Sequence, residues 1–176
     1  MRTFIALELP SGFADETAAC ARVLSGAVEG RFVPKENYHL TLAFLGDADD
    51  ATVRRAMEAL DEVAAEVVPP LLVPEGLGRF GRPTDATLWM GLTEGEGLIG
   101  LAALVRERLR DQCVAFDGKA FKPHITLARR ARLPKGPLPP LCFPMPARAE
   151  AVTLFKSTLD RDGAIYKPLY TVRLAS

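Results

Sequence analysis

Two short segments repeat one pattern, and that pattern constrains the fold more than any other feature of the chain. His39 begins the run His-Leu-Thr-Leu and His124 begins the run His-Ile-Thr-Leu, and the sequence contains no other histidine. In both runs polar and apolar residues alternate, which is the period of a β-strand with one buried face. Each half of the chain is therefore predicted to contain a half-buried strand that presents a histidine and a threonine on its open face.

The rest of the chain switches between helical and extended periodicity. In order, we predict strand 2–9, a helix of about 15 residues from Ser11, strand 38–45, a helix that follows the acidic turn 47–50 and stops at the prolines 69–70, strands 71–80 and 87–92, a turn at 95–97, helix 98–112, strand 123–128, an irregular proline-rich loop at 133–146, and strands 149–156 and 166–174. This order follows a similar plan twice, which favours an internal duplication within one domain spanning 1–176. We expect an α+β fold with two similar lobes of mostly antiparallel sheet, covered outside by helices.

Composition and charge narrow the class of protein. The 22 basic residues balance the 22 acidic ones, so the chain is not expected to coat nucleic acid through its overall field, and a polyanion must be bound locally. Three widely spaced cysteines fit neither a disulfide framework nor a Cys-x-x-Cys metal site. No apolar run approaches the roughly 20 residues that span a bilayer, and the start lacks a signal-peptide pattern. We expect a cytoplasmic monomer with no membrane contact and no obligate protein partner.

The two motifs predict a site for proton transfer. A histidine and a threonine two residues apart on a strand point the same way, so each strand offers an imidazole beside a hydroxyl group. If the strands face each other, one neutral imidazole can deprotonate an attacking water while an opposing imidazolium protonates the departing oxygen. The threonines can donate hydrogen bonds to phosphate oxygens. This arrangement suits phosphoryl transfer without a metal or other cofactor, and its candidate residues are His39, Thr41, His124 and Thr126.

Other interpretations of the motifs explain less. A single His-x-Thr on a strand is more often a packed or solvated pair, and it is the duplication that favours a function. A zinc site would be short of ligands, because the two histidines have no local partners at metal-ligand spacing. No serine lies in a nucleophile-elbow context, and no cysteine is near either histidine in sequence, although the fold could still bring one close.

The residues around His124 are mostly basic, which favours an anionic substrate because arginine binds phosphate oxygens bidentately. Arg129 is the candidate phosphate ligand. It follows His124 by five residues, so a regular strand would turn it away, and a bulge or strand end after Leu127 is needed to bring it into the cleft. The other basic residues of this segment are predicted to be solvated: Arg130, Arg132 and Lys135.

Two aromatic residues near the motifs are candidates for stacking on a base. They are Phe44, on the first predicted strand, and Phe121, just before the second. Base stacking on aromatic side chains is common in nucleic-acid recognition, whereas an aromatic residue in a strand more often packs in the core.

Around these motifs the chain resembles the 2H phosphoesterase superfamily, and specifically the bacterial and archaeal RNA 2′,3′-cyclic phosphodiesterases, historically called 2′-5′ RNA ligases. The similarity covers nearly the whole chain and rests on segments 2–6, 39–46, 88–92, 121–129 and 166–174. It implies a bilobal fold with a pseudo-twofold central cleft that carries both motifs. It also implies His39 as proton donor, His124 as proton acceptor, and three residues around the phosphate: Thr41, Thr126 and Arg129. Where the family often carries Trp before Pro, this chain has Val33, which argues against base stacking there.

The resemblance implies a metal-independent phosphodiesterase that opens a 2′,3′-cyclic phosphate on an RNA end or a nucleotide and leaves a 2′-phosphomonoester. Another activity of the superfamily is the first alternative, such as cleavage of a different cyclic nucleotide or reversible 2′-5′ ligation of RNA ends. A non-catalytic nucleotide- or RNA-binding module is the second, and the two complete motifs count against it, because binding needs no opposed acid and base. One neutral and one protonated imidazole also predict a bell-shaped pH profile near the reference histidine pKa of about 6.5.

Overall fold

Two four-stranded antiparallel sheets and three α-helices form the fold of the computed structural model, which describes residues 1–95 and 97–174. The helices are Ser11–Ser25 (α1), Asp50–Glu66 (α2) and Leu98–Asp111 (α3). The strands are Arg2–Glu8 (β1), Glu29–Phe32 (β2), His39–Asp47 (β3), Leu71–Leu72 (β4), Pro74–Arg82 (β5), Asp85–Leu92 (β6), His124–Arg132 (β7), Ala147–Arg148 (β8), Ala151–Asp160 (β9) and Gly163–Arg173 (β10). This confirms the predicted α+β class. Residue 96, inside the predicted turn 95–97, and residues 175–176 lie outside the described chain.

Each sheet contains one of the two histidine strands. The first sheet has the order β10-β9-β1-β3 and the second the order β2-β7-β6-β5, while β4 and β8 form a separate short pair. The histidine strands β3 and β7 contact each other where the two sheets meet. Buried apolar residues from both sheets and all three helices form one continuous hydrophobic core. The site described below therefore lies on a single packed unit and not on two independent bodies.

Local sequence signals explain where the helices begin and end. The acidic turn before α2 supplies the predicted cap, since the carboxylate of Asp49 accepts a hydrogen bond of 2.8 Å from the backbone N–H of Thr52. The helix ends at Glu66, before the two prolines at 69–70. Residues 133–146, with their prolines, form neither helix nor strand, as predicted. None of the helices built by the described residues has the length and apolar character that a bilayer crossing requires.

Strand lengths differ most from the prediction. Strand β7 continues to Arg132 and β9 to Asp160, beyond the predicted ends at 128 and 156. Strand β2 was not predicted, because it has four mostly exposed residues and no alternating pattern. It pairs with β7, and a Cβ atom at Gly30 would lie 2.9 Å from the Cα of Ala131, so this edge needs a glycine for close approach.

Candidate active site

The alternation of β3 breaks after Thr41. Thr41 pairs with Ala6 and Ala43 pairs with Ile5, so Leu42 is an extra residue between them and forms a β-bulge. Leu42 and Ala43 are consecutive and both buried, and the faces exchange beyond them. The predicted alternation over 38–45 is therefore wrong in its second half: Ala43 lies in the core and Phe44, 54% exposed, turns into the cleft.

The same irregularity occurs in β7. Thr126 pairs with Trp89 and Ala128 pairs with Leu88, which leaves Leu127 as the extra residue. Beyond it the faces exchange again, and Arg129 lines the cleft together with the preceding histidine and threonine. The sequence required a bulge or a strand end after Leu127 for Arg129 to reach the cleft, and the bulge at Leu127 provides that change of direction.

The carbonyl group of the extra residue in each bulge accepts a hydrogen bond from outside the strand pair that contains the bulge. The carbonyl oxygen of Leu42 accepts from Nε of Arg106 on α3 at 3.3 Å. The carbonyl oxygen of Leu127 accepts from the backbone N–H of Val33 at 2.8 Å. Because buried carbonyl groups need partners, these contacts stabilise the bulges that aim Phe44 and Arg129.

One cleft of about 740 Å³ collects the predicted site residues from both sheets. Its walls include all five residues assigned to catalysis or phosphate binding: His39, Thr41, His124, Thr126 and Arg129. Phe44 also lines it, but Phe121 does not. Phe121 is half-buried and packs against the hydrophobic core, so the structure gives its predicted base contact no support.

The other basic residues near His124 stay outside this cleft. Arg130 has a left-handed backbone conformation (φ 52°) at the strand irregularity, and its exposed guanidinium pairs with Asp85 at 3.3 Å. Arg132 and Lys135 are exposed to solvent, as expected. Of this basic segment, Arg129 is thus the residue whose charge the fold directs at the two histidines.

Hydrogen bonds fix both imidazoles in the same tautomer. Nδ1 of His39 lies 2.7 Å from the carbonyl oxygen of Asn37, and Nδ1 of His124 lies 2.6 Å from that of Lys122. A carbonyl oxygen only accepts, so each Nδ1 carries a hydrogen. Each Nε2 is then the proton-exchanging atom, which accepts a proton when the ring is neutral and donates one when it is charged.

Aromatic rings surround both imidazoles in a matched way. Each histidine has two close aromatic neighbours, and one of the two meets it edge-on. The ring pairs are Phe4–His39 at 4.9 Å, Tyr166–His39 at 5.2 Å and 90°, Trp89–His124 at 5.7 Å, and Phe80–His124 at 5.1 Å and 88°. These rings limit the rotation of the imidazoles and cover part of their surfaces.

This packing makes both histidines weaker bases than free imidazole. Burial is the main cause that lowers the pKa of His39 to about 4, the charges of Arg129 and His124 lower it further, and the hydrogen bond to Asn37 opposes the change. The pKa of His124 is also lowered, chiefly by burial and then by the charges of Lys122 and Arg129. Without a bound anion the neutral form of both rings is favoured near neutral pH.

The structure adds cleft residues that the sequence did not indicate. Arg2, Ser157, Tyr166 and Phe80 all line the cleft. None stands in a local motif, and each arrives through strand pairing with distant segments. Among the described residues, no group of three or more His, Cys, Asp or Glu side chains lies close enough together to hold a metal ion.

The comparison with known families decides the assignment. The sequence profile of the LigT-like phosphoesterases matches residues 7–89 and 93–166. The chain belongs to this family. Among LigT-like relatives, the RNA 2′,3′-cyclic phosphodiesterase of Thermus thermophilus is 34% identical over 143 residues, which cover 78% of this chain and 72% of the relative. The protein of the same name from Escherichia coli is 29% identical over 171 residues, covering 96% and 93%.

Solved structures of LigT-like proteins share the fold over nearly the whole chain. A crystal structure of a Thermus thermophilus protein has a TM-score of 0.83 at 28% identity and covers 99% of this chain and 98% of its own. The Escherichia coli LigT structure complexed with 3′-AMP has a TM-score of 0.77 at 28% identity, with the same coverage. These similarities include both sheets and the cleft-bearing strands β3 and β7.

Proposed function

We propose that the chain hydrolyses 2′,3′-cyclic phosphates at RNA ends or on nucleotides, without a metal, and leaves a 2′-phosphomonoester. The observation that carries this proposal is the matched placement of His39 and His124. Both rings present Nε2 to one cleft with Nδ1 held by a carbonyl group. Such a pair can serve as acid and base, whereas a binding module needs neither. The names of the relatives support the substrate class.

In the proposed reaction, Nε2 of neutral His124 takes a proton from water as the water oxygen forms a bond to phosphorus. The bond from phosphorus to the ribose 3′-oxygen breaks, and Nε2 of protonated His39 gives its proton to that oxygen. Thr41, Thr126 and Arg129 stabilise the charge on the non-bridging oxygens. The cycle ends with neutral His39 and protonated His124, and proton exchange with solvent restores the starting state.

The donor role of His39 requires a bound anion. With a pKa of about 4 in the empty cleft, His39 carries little charge near neutral pH. A phosphodiester between the two rings brings a negative charge, which favours the imidazolium and raises both pKa values. Substrate binding is therefore the step that lets His39 hold the proton it later donates, while His124 stays neutral.

We infer that Phe44 stacks on the base of the terminal nucleotide. It is exposed in the cleft on the strand that carries His39, which is the side of the departing 3′-oxygen and its ribose in the proposed orientation.

We also infer that the two histidine strands arose by duplication within one domain. The matched bulges at Leu42 and Leu127 and the matched Nδ1 hydrogen bonds support it.

The test is turnover of a nucleoside 2′,3′-cyclic phosphate by the purified chain in excess EDTA, with the products resolved by phosphorus NMR. We expect the 2′-phosphate alone. A 3′-phosphate would reverse the orientation, a mixture of isomers would contradict a single in-line geometry, and activity that EDTA abolishes and a divalent ion restores would refute the metal-free mechanism.

A substrate with sulfur in place of the 3′-oxygen tests which histidine is the donor. A thiolate leaves without protonation, so the sulfur substrate should restore most of the activity of His39→Ala relative to wild type. His124→Ala should stay impaired on both substrates, because the water must still be deprotonated. The opposite pattern would exchange the two roles.

A further inference from the structure

Two arginines line the cleft, one from each sheet. Arg129 comes from β7 and Arg2 from the first residue of β1. Asp117 is the one carboxylate among the described lining residues, and its Oδ1 already accepts a hydrogen bond from the backbone N–H of Lys119 at 3.0 Å. The cleft thus presents two separate guanidinium groups together with one carboxylate.

The two arginines stand differently toward the two histidines. Arg129 lies close enough to both histidines to lower the pKa of each, whereas Arg2 contributes to neither shift. Arg2 and Phe4 are two residues apart on β1, roughly 7 Å along the strand, and the ring of Phe4 is the one that contacts His39. An aromatic side chain therefore separates Arg2 from the acid–base pair.

Arg2 begins a polar row across the first sheet. In strand register it lies beside Ser157 on β9, and Ser157 lies beside Tyr166 on β10. Directly paired residues are about 5 Å apart on one face of a sheet, so the guanidinium and the two hydroxyl groups share one wall of the cleft. We call Arg2, Ser157 and Tyr166 the polar row.

The guanidinium and the two hydroxyl groups of the polar row are not engaged in polar contacts within the described chain, although the ring of Tyr166 packs against His39. Three other hydroxyl groups of β9 and β10 are engaged, since Thr153 bonds to Thr171 and Glu8, and Tyr170 bonds to Asp61. Two other exposed arginines do pair with carboxylates, Arg130 with Asp85 and Arg173 with Glu150. Within residues 1–95 and 97–174, the side chains of the polar row form no such hydrogen bond or ion pair. A cation and two hydroxyl groups without protein partners suit a phosphate ligand.

We propose that the polar row binds a second phosphate of the substrate, the one attached to the 5′-oxygen of the nucleotide that carries the cyclic phosphate. The inference rests on the proposed function. In that orientation the ribose lies on the His39 side, so its 5′-oxygen extends along the sheet that carries Arg2. The polar row could make these contacts with the oxygens of an internucleotide phosphodiester or with those of a free 5′-phosphate.

Four substrates separate these sources: a nucleoside 2′,3′-cyclic phosphate, its 5′-phosphorylated form, a dinucleotide with a 2′,3′-cyclic end, and the same dinucleotide with an uncharged methylphosphonate linkage. For wild type, kcat/KM should be about tenfold higher with the natural dinucleotide than with the methylphosphonate. Preference for the 5′-phosphorylated nucleoside alone would assign the row to a terminal phosphate.

Arg2→Ala should reduce the ratio of natural to methylphosphonate kcat/KM toward one, and Ser157→Ala should reduce it less. For the natural dinucleotide, the slope of log kcat/KM against log salt concentration should become shallower by about 0.7 in Arg2→Ala. This is the change expected when one contact to a single-strand phosphate is lost. Arg161→Ala, in the exposed turn between β9 and β10 and outside the cleft lining, is the matched control and should leave the ratio unchanged.

The outcomes separate the two proposals. If wild type hydrolyses no cyclic phosphate, the proposed function fails. If it hydrolyses all four substrates with equal kcat/KM, or if Arg2→Ala lowers all four alike, the second phosphate site is wrong and the proposed function stands.

Discussion

Phe44 and Arg129 hold the same position relative to the two catalytic candidates, each being the fifth residue after its histidine. Both turn into the cleft because a bulge precedes them, at Leu42 in one strand and at Leu127 in the other. After the bulge, one histidine strand therefore presents an aromatic ring to the cleft and the other a guanidinium. The histidines are matched in tautomer and surroundings, so this difference distinguishes the two histidine strands.

Replacing either histidine should remove most of the activity. His39→Ala and His124→Ala should each lower kcat by about 10²–10⁴-fold, the range expected for one general acid or base. The double variant should be little worse than either single one, because the two rings act as a unit. Circular dichroism would check that the variants fold, and near-normal turnover by a folded variant would exclude that histidine from the mechanism.

The pH profiles of free and substrate-bound enzyme should differ. Both histidine pKa values are lowered in the empty cleft, His39 to about 4, so the optimum of kcat/KM should lie below 6.5. This replaces the expectation from the reference pKa. The bound phosphodiester raises both values, so the kcat profile should lie at higher pH. Steady-state kinetics across pH 3.5–9 would measure both, and coincident profiles would contradict protonation by substrate binding.

Arg129→Ala should act on binding and on protonation together. Loss of the phosphate contact should raise KM by about tenfold or more. Loss of the positive charge removes one cause that lowers both histidine pKa values, so the kcat/KM profile should move to higher pH. Arg130→Ala is the control, since its guanidinium is exposed and pairs with Asp85. If Arg130→Ala raised KM as much as Arg129→Ala, the assignment of Arg129 alone as the phosphate ligand of this segment would be wrong.

The two threonines should matter through their hydroxyl groups. Thr41→Val and Thr126→Val keep the branched shape that suits a strand but lose the donor to a phosphate oxygen. Each should lower kcat by about 10²-fold, as for one lost donor to a developing negative charge. Thr→Ser at the same positions keeps the hydroxyl group and should retain most activity. A valine variant as active as the serine variant would assign that threonine to structure alone.

The absence of a side chain at Gly78 should be required for the packing of Trp89 against His124. A Cβ atom there would overlap the indole of Trp89, whose ring packs 5.7 Å from that of His124. Gly78→Ala should therefore destabilise the fold by about 1–3 kcal/mol and displace the indole. Gly100→Ala, in helix α3 with nothing near its Cβ, should instead stabilise by up to about 1 kcal/mol. Urea unfolding of both variants would measure these opposite signs.

Much of the site was readable from the sequence because its signals are local. Alternation placed His39 beside Thr41 and His124 beside Thr126, and the repetition of the motif indicated one shared function. The acidic turn ending at Asp49 and the prolines after α2 marked helix ends through backbone chemistry that depends only on neighbouring residues. The sequence also identified Arg129 as a candidate phosphate ligand, but only if a bulge or strand end turns it into the cleft.

The bulges themselves depend on tertiary structure, because an extra residue exists only relative to a partner strand. For this reason simple alternation assigned Ala43 and Phe44 to the wrong faces of β3. The packing of half-buried Phe121 on the core, away from the cleft, likewise depends on segments distant in the chain.

By itself, then, the sequence determined the three helices, most of the strands and the two motifs that supply the candidate acid–base pair, since hydrophobic period, capping and motif spacing act over a few residues. Only the tertiary structure decided which rings surround the histidines, how far burial lowers the pKa of His39, and that Arg2, Ser157 and Tyr166 share one wall. Those properties arise from strand pairing and from exclusion of water between segments that are far apart in the chain.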